Sequence, residues 1–126
     1  MIRAYRFLPL AALLWLAMVL PARAQQDQSK TTLYVVTYVD VFPQGAADTN
    51  KWLREFAADS RKDPGSVRFE VLRDVERTNH FTIVEVWQTR QAYDAHTALE
   101  HTKRFREKLQ TYLGSPFDER LYHNLE

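Results

Sequence analysis

Residues 80–101 read HFTIVEVWQTRQAYDAHTALEH, and the change of period inside this stretch decides the fold. From His80 to Gln88 the order is that of a strand. Phe81, Ile83, Glu85 and Trp87 alternate with Thr82, Val84 and Val86, so the two sets point to opposite faces. From about Arg90 the pattern moves to a spacing of three to four, which places Tyr93 and His96 on one side of a helix. A strand thus turns into a helix here. It carries a carboxylate, Glu85, among apolar neighbours, and two histidines five residues apart follow it.

Working outward, Ser66 to Val75 reads as a second strand, joined to the first by a short polar connection that contains Thr78 and Asn79. Upstream, Trp52, Leu53, Phe56, Ala57 and Ser60 form a helical stripe within about Ala46 to Lys62, and Asp48 suits the positive end of the helix dipole. Asp63-Pro64-Gly65 ends that helix as a turn, and Pro43-Gln44-Gly45 breaks an earlier strand over Leu33 to Phe42. Downstream, the second helical region runs to about Leu113 with an interruption near Thr97 to Leu99. Within it His101, Phe105, Leu109 and Tyr112 share a stripe that should face the core. Gly114-Ser115-Pro116 stops the helix, and Glu119 to Leu125 alternates as a last strand. The order βαββαβ predicts an α+β, ferredoxin-like fold: a four-stranded antiparallel sheet with helices on one face.

Both faces of the strands are apolar or aromatic. Leu33, Val35 and Val39 alternate with Tyr34, Val36 and Tyr38, which is the pattern of strands covered on both sides. Two helical regions cover one face only, so a second copy packing sheet against sheet is expected, giving a homodimer.

At the other end of the chain, Arg3 and Arg6 precede a 14-residue apolar run, Phe7 to Leu20, followed by Pro21 and Ala22-Arg23-Ala24. This is the layout of a secretory signal peptide, residues 1–24, cleaved after Ala24; the run is short of the roughly 20 residues of a membrane span. The expected location is exported, periplasmic or secreted, with no membrane attachment after cleavage. Residues 25–31 form a polar lead-in, and 32–126 the domain. Removing residues 1–24 takes away three arginines and no acid, leaving 14 basic against 16 acidic residues and a formal charge of −2 in place of +1. That balance offers nothing to nucleic acid or anionic membrane. With no cysteine, thiol chemistry and cysteine-based metal sites are excluded, and an exported domain of this size depends on packing or association.

The segment PGSVRFEVLRDVERTNHFTIVEVWQTRQAYDAHTALEHTKRF, with GSPFDERLYHNL after it, resembles the antibiotic biosynthesis monooxygenase domain, over about Thr32 to Leu125. The resemblance is densest at Glu85, Trp87, His96, His101 and Phe105, and it implies a dimeric α+β barrel of ferredoxin-like subunits. Relatives in that family include cofactor-free oxygenases of quinols and polyketide phenols, haem-degrading enzymes, and an isomerase of the phosphorylated autoinducer-2 signal, which is similar in RFEVLRD and ERLYHNL. Where the haem-degrading branch has its tryptophan and histidine, this chain has His96 and about Arg106, a departure from that activity.

The residues themselves suit oxygen insertion into an electron-rich phenol or quinol with no cofactor. Such chemistry needs a base, a dry aromatic cavity and donors for the developing oxyanion, with molecular oxygen as co-substrate. Histidine suits the base, since its unperturbed pKa is near neutral. His101 is the first candidate and His96 the second, with Glu85 orienting one of them. A pocket between sheet and helices would be walled by Trp87, Tyr38 and Phe105, with Asn79, Arg120 and Tyr122 donating to the oxygens of an aromatic small-molecule substrate. The same histidines would serve an isomerase that shifts a proton next to a carbonyl, and a non-catalytic ligand-binding protein would keep the cavity alone. Two helical histidines five apart turn away from each other unless the helix breaks, so no metal is expected at Glu85, His96 and His101.

Overall fold

The computed structural model describes residues 31–126; the expected signal segment and residues 25–30 of the lead-in lie outside them. Strand β1 spans Leu33–Asp40, and a single 3-10 turn, Pro43–Gly45, leads into helix α1, Ala46–Ser60. Strands β2, Ser66–Arg73, and β3, His80–Trp87, follow. Helices α2, Arg90–Ala98, and α3, Glu100–Gln110, precede strand β4, Asp118–Tyr122. The sheet order is β2-β3-β1-β4 with every neighbouring pair antiparallel, so the expected α+β, ferredoxin-like topology holds.

Registers assign the two faces. Val35 lies opposite Glu85 and Leu33 opposite Trp87, while Phe69 meets Glu85 from the other side. These residues are buried with Val39, Phe81 and Ile83 beneath the helices, where Leu53, Phe56, Ala57, Phe105 and Leu109 complete the core. The alternate positions of β1, Tyr34, Val36 and Tyr38, lie on the opposite face, along with Val84 of β3 and Tyr122 of β4. That face stays partly open: Tyr38 is 44% exposed and Leu72 50%.

All four strands end earlier than the pattern suggests, β1 at Asp40 in place of Phe42 and β3 at Trp87 in place of Gln88. β2 stops at Arg73 because Asp74 starts a turn, its side chain accepting hydrogen bonds from the backbone N–H groups of Glu76 and Arg77. β4 stops at Tyr122, and the residues after it are exposed.

The break in the second helical region falls where the sequence places it. Thr89 caps α2 by accepting a hydrogen bond from the N–H of Ala92 at 3.0 Å. Leu99 then adopts an extended conformation (φ −70°, ψ 148°), closing α2 and opening α3. Glu100 follows in the first turn of α3, where a carboxylate suits the helix dipole. Across this break His96 and His101 project from two different helices.

Candidate functional site

A chain of polar side chains runs from the sheet through the core to the surface. At its inner end Glu85, 3% exposed, accepts a hydrogen bond from the Trp87 indole N–H at 2.8 Å. Four ångströms from the same carboxyl oxygen lies Nε2 of His96, itself 2% exposed. The other ring nitrogen of His96, Nδ1, is 2.7 Å from Oδ2 of Asp63. That carboxylate also holds Nε2 of His101, at 2.9 and 3.0 Å from its two oxygens. Nδ1 of His101 is enclosed and has no hydrogen-bond partner.

Electrostatics follows from burial. Loss of solvent raises the Glu85 carboxyl to about 7, the Trp87 hydrogen bond opposing the rise; the charge of Glu119 adds to it and Arg106 offsets part. Loss of solvent lowers the His96 pKa against the opposing pull of Asp63. Near pH 7 the imidazole of this pair is neutral and the carboxyl is about half protonated, so the two do not form an ion pair. Arg106 binds Glu119 at 2.7 Å, and Glu119 also accepts from the Tyr93 hydroxyl, whose pKa burial raises.

Asp63 was read from the sequence only as a turn former, and it is the residue that unites the site. Its place depends on Gly65, whose φ of +82° is open to glycine and costly for other residues. The backbone N–H of Gln88, at the end of β3, donates to the Gly65 carbonyl at 2.9 Å, which ties the turn to the β3–α2 corner. No local pattern announces a contact between Asp63 and histidines 33 and 38 residues further on.

Other expected site residues divide. Glu85, His96 and His101 do lie along one chain of contacts, but the interior beside Glu85 is packed rather than open. Trp87 is fully buried, 4.6 Å from the His96 ring and 6.5 Å from Phe69, and acts as core. His101 is not on the most buried stripe of α3, which is Thr102, Phe105 and Leu109; its side chain is 20% exposed. Helix α3 starts at Glu100 and sets its own phase, which turns Thr102 inward and His101 to the edge of α1. Tyr38, Arg120 and Tyr122 sit on the open face of the sheet, where the Arg120 guanidinium lies over the Tyr38 ring and pairs with Asp118. They cannot line a pocket with Trp87 and Phe105, because strand alternation puts the sheet between them. Asn79 is engaged elsewhere, donating to the Val41 carbonyl at 2.6 Å. The five-residue spacing does not part the histidines, since the helix breaks between them; together with Asp63 their ligating atoms all lie within 4.8 Å.

The groove that reaches His101 is on the outer side of the helices. It lies between α1 and α3, has a volume of about 250 Å³, and is lined by His101, by the aromatic rings of Trp52, Phe56 and Phe105, and by two acids and two bases, Glu55, Asp59, Arg104 and Lys108. Phe56 and Phe105 stack at 4.1 Å and form its floor beside His101.

Residues 32–108 match the model of the antibiotic biosynthesis monooxygenase domain. The chain belongs to the antibiotic biosynthesis monooxygenase family. Among solved structures it is similar to a protein described as an antibiotic biosynthesis monooxygenase, with a TM-score of 0.72 at 22% identity over 75% of this chain and 99% of that one. A protein of Pseudomonas aeruginosa gives 0.71 at 23% identity, covering 76% and 96%. A conserved protein of Methanosarcina mazei gives 0.71 at 20%, covering 79% and 98%. At these identities the likeness is one of fold. An uncharacterized protein of Synechocystis is 31% identical over 67 residues, 53% of this chain, and the match spans 46% of that protein's length.

Proposed function

We propose that this family member is an exported oxygenase of small phenols or quinols, with His101 as the base and no cofactor in the reaction. The observation that carries the reading is the setting of the His101 ring: Nε2 lies 2.9 Å from an Asp63 oxygen and Nδ1 has no partner. Since a carboxylate can only accept, the neutral ring that fits carries its hydrogen on Nε2 and its lone pair on Nδ1. A carboxylate that fixes the tautomer of an imidazole and supports its charge after protonation is the arrangement of catalytic His–Asp units on many folds. The groove is small against the roughly 300–1,000 Å³ of common ligand sites, so it suits a substrate of one or two rings. Arg104 and Lys108 line the groove together with Glu55 and Asp59, so it offers both signs of charge to polar groups of the substrate.

The sequence of steps balances. His101 takes the phenolic proton, the phenolate gives one electron to oxygen, and the radical pair joins to form a ring-carbon peroxide that recovers the proton. His101 then takes the hydrogen of that carbon as a proton, the O–O bond breaks, and the departing hydroxide regains it as water. One oxygen atom stays on the carbon as a quinone carbonyl. Nδ1 is enclosed, so reaching it takes a side-chain movement at the groove floor.

Support for a homodimer is the apolar open face of Tyr34, Val36, Tyr38 and Val84, which a second sheet would cover. Support for export is the N-terminal pattern of Arg3 to Ala24. The test is oxygen uptake with a panel of one- and two-ring phenols and quinols: the reading predicts uptake and quinone formation. No uptake with any of them, together with α-proton exchange in a carbonyl compound, would replace it with the isomerase reading.

A further inference from the structure

We infer that Asp63, His96 and His101 form a binding site for a divalent transition metal ion of the zinc or ferrous class, on the same donor atoms that the base uses. Two imidazole nitrogens and one carboxylate on a single face are a complete three-ligand set that leaves further positions open. Here His96 Nδ1, His101 Nε2 and the Asp63 oxygens all lie within 4.8 Å of one another. The two histidine–carboxylate separations are 2.7 and 2.9 Å. Ligands bound at zinc distances around a tetrahedron stand roughly 3.3 Å apart, so an ion needs each histidine–carboxylate contact to open by about half an ångström, with the two histidine nitrogens drawn to the same spacing from within 4.8 Å.

Three further features agree with this. The backbone break at Leu99 is what brings the two ring nitrogens to one point. Behind His96, the Glu85 carboxyl stands 4.0 Å from the nitrogen that would not bind metal, the outer position from which carboxylates commonly orient a ligating imidazole. An entry path exists as well, since the His101 side chain, 20% exposed, borders the groove and Asp63 is 11% exposed. The remaining histidine–carboxylate pair, His80 with Asp40 at 2.6 Å, has no third ligating group beside it among the described residues, so it serves as an internal control.

Metal and base exclude each other. Coordination through Nε2 of His101 leaves the ring hydrogen on Nδ1, where the lone pair is needed, so a bound ion stops turnover by this route. The inference goes beyond the oxygenase reading and does not depend on it.

The purified protein, freed of metal with a chelator, is titrated with cobalt(II) and followed by visible absorption. The expected result is one equivalent bound, with the ligand-field bands of a four- or five-coordinate ion, and displacement of cobalt by zinc. His101→Ala and Asp63→Asn should each weaken binding by more than the roughly 10- to 100-fold that outer-sphere partners contribute, while His80→Ala leaves it unchanged. His101 and Asp63 are not fully buried, so these variants keep the fold, which circular dichroism verifies. Absence of the bands at one equivalent overturns the site, as do bands that survive both variants. Cobalt binding without oxygen uptake leaves the metal site standing and removes the oxygenase reading; uptake without cobalt binding does the reverse.

Discussion

Replacing Glu85 with Gln should change how stability depends on pH. The carboxyl has a pKa of 4.5 when free and about 7 in the fold, a difference of about 3 kcal/mol in favour of the protonated form. The sign follows from proton counting. Between pH 4.5 and 7 the folded protein retains a proton that the unfolded chain has released, so stability falls as pH rises. The contribution is fully present below about 4.5 and gone by about 7. His96 works the other way: its lowered pKa means that the unfolded chain takes up a proton first, so its contribution is lost as pH falls below 6.5. The wild-type profile mixes the two, and the variant separates them. Glutamine keeps an acceptor for the Trp87 indole and does not titrate. Urea unfolding at pH 5, 6, 7 and 8 and fixed protein concentration should show the variant gaining about 2–3 kcal/mol on the wild type from pH 5 to pH 8. Parallel curves would refute the buried, proton-holding Glu85.

Three other outcomes are expected. Val84→Lys places a charge in the middle of the open face, opposite Val36 and Glu70, and should convert a wild-type dimer to a monomer by light scattering; a monomeric wild type would remove the dimer altogether. Gly65→Ala adds a Cβ that meets the Ala92 Cβ at 2.5 Å at a φ of +82°, so it should cost about 2 kcal/mol or more and lower Tm by several degrees; an unchanged Tm would contradict the conformation given to this turn. Mass spectrometry of protein recovered after export should show a chain beginning at Gln25; an intact N-terminus would count against cleavage after Ala24.

The order and kind of the elements were readable because period reports geometry. Residues 80–101 show both the strand and the helix, and the alternation of Leu33 to Val39 gives the two faces of β1. Helix phase across an interruption was not readable. Extending one stripe from His101 to Tyr112 put His101 inside, whereas α3 starts afresh at Glu100 and buries Thr102. The same restart cancels the argument from spacing that would keep His96 and His101 apart. Asp63 stayed hidden for a different reason. An Asp-Pro-Gly sequence explains itself locally as a turn, and only the long-range closure of the turn on α2 and α3 gives its carboxylate two imidazoles. Tyr38, Arg120 and Tyr122 illustrate a third limit: residue chemistry alone grouped them with Trp87, but the registers place them across the sheet.

The account rests on Asp63 and His101 acting as one catalytic unit, and a double-mutant cycle on the rate of oxygen uptake tests this most directly. His101→Ala and Asp63→Asn should each lower kcat/KM by about 10²- to 10⁴-fold, the range of general-base catalysis, with the fold intact. The double variant should be no slower than His101→Ala alone, because a carboxylate that acts through an imidazole has nothing to do once the imidazole is gone. Rates that fall independently and multiply in the double variant, or a His101→Ala enzyme as fast as wild type, would contradict it.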